Sequence, residues 1–163
     1  MSSLAYRFPS FFISFSSAIT SCEKSGDWRT AIDLLNRMEK EGLPRTAISY
    51  NAAISACEKG MVPQKACDLF QRMKREGIRP SVVTYSALIS AAEKGGQWRL
   101  ALEILEDMKR DGHRGNVIAY SAAISALAKG QQWELALNLF REVQSSGKQP
   151  SIVTVRRRFY SSD

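Results

Sequence analysis

Four segments of 35 residues follow one another without a gap: 12–46, 47–81, 82–116 and 117–151. An aromatic recurs at Phe15, Tyr50, Tyr85 and Tyr120, and an Ile at Ile19, Ile54, Ile89 and Ile124. Lys24, Lys59, Lys94 and Lys129 share one position, Ala31, Ala66, Ala101 and Ala136 another, and Gly42, Gly77, Gly112 and Gly147 a third. Self-similarity at this period requires supersecondary units that cannot bury their apolar faces alone and must stack. It also moves the functional question from a single pocket to the surface made by equivalent positions.

The third copy gives the grammar of one unit. Val82, Tyr85, Ile89 and Ala92 form one helical stripe, and Gly95-Gly96 interrupts it. Trp98, Ala101, Leu102, Leu105 and Met108 form a second stripe, which Gly112 terminates. Each unit therefore reads as a helical hairpin, helix A then helix B. The predicted fold class is all-α, an α-solenoid of four stacked helix-turn-helix repeats. Residues 1–11 read as an N-terminal extension, acid-free and faintly like a transit peptide. Residues 152–163 read as a truncated fifth repeat or basic tail, since Arg156-Arg157-Arg158 abandons the pattern. A fragment of a longer array is the favoured reading of that break.

The net charge of +7 favours an anionic partner. No apolar run is long enough to span a membrane. Cys22 and Cys57 occupy a slot that Ala92 and Leu127 fill in later copies, so they read as core thiols, as does Cys67. No CxxC or Cys/His cluster suggests a metal. Trp28, Trp98 and Trp133 share a helix-B position with Pro63 and are expected in the core. The single histidine, His113, stands in a turn without a recurrent partner, so no nucleophilic triad is visible. The chain is read as a non-enzyme with no cofactor, no metal, no membrane association and no small-molecule substrate.

The period resembles that of pentatricopeptide repeats. So do the helix-A phrase Val83-Thr84-Tyr85-Ser86-Ala87-Leu88-Ile89 and the helix-B phrase from Ala101 to Lys109 followed by Gly112. The resemblance runs over 12–151. It implies a solenoid that binds single-stranded RNA, one base per repeat, each base read by two or three side chains. The base-reading pairs it implies are Ser16 with Thr46, Asn51 with Ser81, Ser86 with Asn116, and Ser121 with Ser151. Ile13, Ile48, Val83 and Ile118 would sandwich the bases, and Lys24, Lys59, Lys94 and Lys129 would approach phosphates. The family's reading rules suggest adenine for Ser86 with Asn116 and a pyrimidine for Asn51 with Ser81. The resemblance further implies a role in RNA processing, stability or translation in a mitochondrion or chloroplast.

The residue types suit that chemistry. All eight reading residues are short side chains that donate and accept hydrogen bonds. Other readings compete. Thr46, Ser81, Asn116 and Ser151 are good N-caps. The Ile and Val positions could pack one repeat on the next. The lysines could compensate the helix-A dipole, and Glu23, Glu58 and Glu93 beside them would dilute their field. At the repeat junctions Arg45 follows Pro44, Arg79 precedes Pro80, and Gly115 stands where a Pro is otherwise found. The competing function is a protein-interaction scaffold with other proteins as partners. A degenerate product with no stable function is a third.

Overall fold

The computed structural model describes residues 9–145, with side chains from residue 12 onward. Eight helices occupy them: α1 Pro9–Ser25, α2 Trp28–Lys40, α3 Ala47–Lys59, α4 Pro63–Arg75, α5 Val82–Lys94, α6 Trp98–Arg110, α7 Val117–Lys129 and α8 Trp133–Ser145. The described chain is all-α, built of helix-turn-helix repeats of the α-solenoid kind. The residues expected to open a fifth repeat, and Ser151, lie outside the described residues. Helix α1 begins at Pro9, three residues before the repeat boundary at 12, so part of the expected extension is helical.

The described residues divide into two compact units that meet in sequence at Pro80 and Ser81. In the first, α3 packs against α1, α2 and α4; in the second, α7 packs against α5, α6 and α8. An A helix touching three others needs small residues on several sides. Ala52, Ala53, Ala56 and Cys57 of α3, and Ala119, Ala123 and Ala126 of α7, are all buried. The B helices bury one stripe only: Ala31, Leu35 and Met38 in α2, and Ala101, Ile104, Leu105 and Met108 in α6. Burial pushes the Cys57 thiol up to about 12, which suits a core residue. Cys67 is only partly buried.

The turns follow from local stereochemistry. A left-handed glycine follows α2, α4 and α6: Gly42 (φ 66°), Gly77 (74°) and Gly112 (78°). The glycines ending α3 and α7 serve a different purpose. A Cβ on Gly60 would meet the Trp28 ring, and one on Gly130 would meet the Trp98 ring. Those two tryptophans are partly buried on the glycine of the following repeat. Trp133 departs from the core expectation and is 56% exposed. Among the described residues no A helix follows α8 to bring a glycine against it, as α3 and α7 do for Trp28 and Trp98.

The uneven junctions are also resolved. Arg45 forms ion pairs with Glu76 (Nε to Oε2, 3.0 Å) and Glu39 (Nη1 to Oε2, 3.2 Å). Arg72 bridges the same two carboxylates at 3.2 and 2.7 Å and donates to Asn36 Oδ1 at 2.7 Å. The Arg45 guanidinium holds the Glu39 carboxyl below the usual carboxylate range. In the second unit the corresponding pair has reversed sign: Lys109 Nζ meets Glu142 Oε1 at 2.9 Å. Opposite charges are retained at that contact while their polarity is not.

Candidate nucleic-acid interface

The second residue of each A helix, or its counterpart in α1, is a β-branched aliphatic side chain left in solvent. Ile13 is 61% exposed, Ile48 71%, Val83 62% and Ile118 61%. They make up four of the eight large apolar side chains exposed among the described residues. Packing between repeats therefore does not explain them; on the same helices the buried positions are those of Tyr50, Ile54, Tyr85 and Ile89.

The positions at 46, 81 and 116 are N-caps. Thr46 and Ser81 form capping boxes with Ser49 and Thr84. The Thr46 N–H donates to Ser49 Oγ at 3.0 Å, and the Ser81 N–H to Thr84 Oγ1 at 3.0 Å. Asn116 caps α7, its Oδ1 accepting from the Ala119 N–H at 2.8 Å. Ser86, the partner implied for Asn116, is buried. Its hydroxyl lies 2.8 Å from the Val82 carbonyl and 3.1 Å from Asn116 Oδ1, sharing one proton between two acceptors. The two members of this pair are thus in contact. Both lone pairs of Asn116 Oδ1 are engaged, and what the amide has left are its two Nδ2–H donors.

The other pairs stand differently. Ser16, Asn51 and Ser121 are partly buried on their A helices. Ser16 accepts a bond from Thr20 Oγ1 only through its main-chain carbonyl, at 2.9 Å. Asn51 belongs to the first unit and Ser81 to the second. Ser151, the partner implied for Ser121, lies outside the described residues.

The lysines are exposed at the C-terminal ends of the A helices. Eleven residues separate each from its Ile or Val, which is about 16 Å along an α-helix and about 20° off a whole number of turns. Apolar residue, short polar residue and ammonium group therefore lie along one flank of each A helix. Lys129 is engaged there: its Nζ lies 2.6 Å from Glu93 Oε1, and Ser125 Oγ donates to the same oxygen at 2.8 Å. Thr20, Ser55, Ser90 and Ser125 recur at the same 35-residue spacing, a hydroxyl row whose part in this flank is evident only from the Ser125 contact with Glu93.

Among the described residues no group of His, Cys, Asp and Glu could hold a metal ion, and no helix is long and apolar enough to cross a membrane. His113 stacks at a tilt on Tyr85, with ring centroids 5.6 Å apart.

The pentatricopeptide repeat domain matches residues 68–130 and 103–155, and the PPR repeat matches residues 13–43 and 48–78. No curated protein sequence matches the chain. Among solved structures, the pentatricopeptide repeat protein PPR10 from maize is similar over 90% of this chain and 21% of its own, with 22% identity and a TM-score of 0.78. The same protein in complex with an 18-nt psaJ RNA element gives a TM-score of 0.76 at 22% identity, over 89% of this chain and 21% of that one. The PPR domain of Arabidopsis thaliana protein-only RNase P 1, in complex with tRNA, gives 0.73 at 17% identity, over 84% of this chain and 72% of that domain. This chain spans about a fifth of the length of PPR10. With repeat matches running from residue 13 to residue 155, the chain belongs to the pentatricopeptide repeat family.

Proposed function

We propose that this chain binds single-stranded RNA along the flank of its A helices, with a preference for particular bases. The observation that carries the reading is the exposure of Ile13, Ile48, Val83 and Ile118 at one repeated position. A flat β-branched side chain in water is a poor surface residue and a good platform for the face of a base. Beside each platform stands a short polar side chain, and one helix length away an ammonium group. Proteins of this fold solved with RNA, PPR10 and the PPR domain of protein-only RNase P 1, support the same reading.

The mechanism is occupancy. Each base rests its face on an exposed aliphatic side chain, its edge turned to the polar reading residues. Asn116 offers donors only, which favours an edge bearing an acceptor, such as adenine N1 or cytosine N3. Stacking on a side chain is worth about 1–3 kcal/mol per base. Four bases give roughly 4–12 kcal/mol before ordering costs, enough for weak to moderate affinity. Masking, stabilising or delivering a transcript in a mitochondrion or chloroplast is the corresponding cellular role.

Fluorescence anisotropy with labelled 8- to 12-nucleotide RNAs, at two salt concentrations and against duplex RNA, tests this. Saturable binding to single strands that weakens with salt supports it. Four lysine–phosphate contacts would give a slope of log K against log salt of about −3, near the upper limit for this surface. Absence of binding to any single strand, with capture of a peptide instead, would favour the scaffold reading.

A further inference from the structure

Lys129 and Glu93 sit at the C-terminal ends of α7 and α5, one repeat apart. Nζ of Lys129 is 2.6 Å from Glu93 Oε1 and 3.4 Å from the Glu93 main-chain carbonyl. Ser125, one turn before Lys129 on α7, fixes the same carboxylate oxygen at 2.8 Å. The carboxylate is therefore held in place from one side by a hydroxyl and closed on the other by the ammonium. In the first unit the corresponding lysine behaves differently: Lys59 has no ion pair among the described residues, and neither has Lys24. Equivalent positions in the repeat thus carry unequal free charge.

We infer that Glu93 is a positioning residue that neutralises Lys129, so that a nucleotide phosphate reaching α7 meets a closed ion pair instead of a cation. This rests on the RNA reading of the A-helix flank. Physically, a phosphodiester is a monoanion. To gain the full attraction of Lys129 it must displace a carboxylate that Ser125 keeps oriented. Where it does not, the site contributes nothing to counterion release, and the strand is held at α7 by stacking and base contacts alone. The α7 position is then tuned for reading over grip, while Lys24 and Lys59 supply electrostatic hold.

The test is RNA binding by the full chain, measured with the same labelled single strands between 50 and 200 mM salt. Glu93→Gln frees Lys129 and should tighten binding about twofold to fivefold, the size of a surface ion pair released. It should also steepen the salt slope by about 0.7, one phosphate contact. The paired change Glu93→Gln with Lys129→Ala removes a neutral couple and should return both affinity and slope to wild type. Glu93→Asp keeps the charge and should keep the wild-type slope. A merely structural role for Glu93 would move the thermal midpoint without moving the slope. Wild-type binding with an unchanged slope in Glu93→Gln overturns the latch and leaves the RNA reading standing. So does a paired variant that binds several-fold more weakly than wild type while remaining folded by circular dichroism. If neither wild type nor Glu93→Gln binds single strands, the RNA reading fails and the latch with it.

Discussion

Ser86 Oγ and Asn116 Oδ1 lie 3.1 Å apart across thirty residues of chain, joining the second turn of α5 to the cap of α7. The contact does two things. It completes the satisfaction of a buried hydroxyl, and it turns the amide of Asn116 so that its acceptor faces the protein. Capping and base reading are therefore compatible roles for one side chain. The cap takes Oδ1, and Nδ2 is left for the base in the proposed complex.

That division predicts the effect of Asn116→Asp. Aspartate is an equally good N-cap, so the fold is unaffected. The group offered to the base changes from donor to acceptor. Preference at this nucleotide should move from adenine toward guanine, which carries N–H groups on its reading edge. A change of about 1–3 kcal/mol in relative affinity is expected from one exchanged base contact. Competition titrations with strands differing only at that nucleotide check it; an unchanged preference removes Asn116 from the reading pair.

The exposed aliphatic row separates binding from stability. Ile48→Ala removes no core contact, since Ile48 is 71% exposed. Its thermal midpoint should stay close to wild type, because surface substitutions of this kind are usually within about 0.5 kcal/mol. Single-strand affinity should fall by about 1–3 kcal/mol, the value of one stacked base. Melting curves and anisotropy on the same sample distinguish this from a packing role, which would lower both.

Glycine at the end of α7 predicts the opposite pattern. Gly130→Ala drives a methyl group into the Trp98 ring. Overpacking of this kind costs about 1–3 kcal/mol of stability, and the indole must shift. Denaturant unfolding should show the loss, and Trp98 emission should change in the native state. Gly42→Ala meets no atom but occupies a left-handed backbone, φ 66°. It should be destabilised by strain while the tryptophan spectrum stays the same.

Alkaline pH should weaken the fold through Tyr85. Burial, together with the bond its hydroxyl donates to Asp111, raises its pKa above the ordinary 10.0. The unfolded chain then releases that proton first. The stabilisation is complete below pH 10 and is lost as pH rises from there toward the folded value. Unfolding midpoints between pH 8 and 11 should fall more steeply for the wild type than for Tyr85→Phe.

The helices and their class were legible because period and pattern agreed. Apolar residues at helical spacing, a Gly after each B helix and capping residues at 46, 81 and 116 leave little choice of local structure. Trp133 departs from the core expectation for a reason that applies to any repeat. A residue can hold the same position as Trp28 and Trp98 and still be exposed, since the glycine that covers it comes from another repeat. Arg45 read as an irregularity of the junction. Its role follows from Glu39 on α2 and from Arg72 and Glu76 at the end of α4, two stretches of chain folded around it.

Sequence by itself determined the repeat length, the hairpin grammar and the positions that face one flank of each A helix, because these depend on helical periodicity and short-range stereochemistry. Tertiary structure alone decided which of those positions remain in water and which charges are already taken. Ile48 stays exposed while Ile54 is buried, and Lys129 is closed by Glu93 while Lys59 has no ion pair among the described residues. Burial and pairing are properties of neighbours brought together from distant points of the chain, and spacing along one helix cannot specify them.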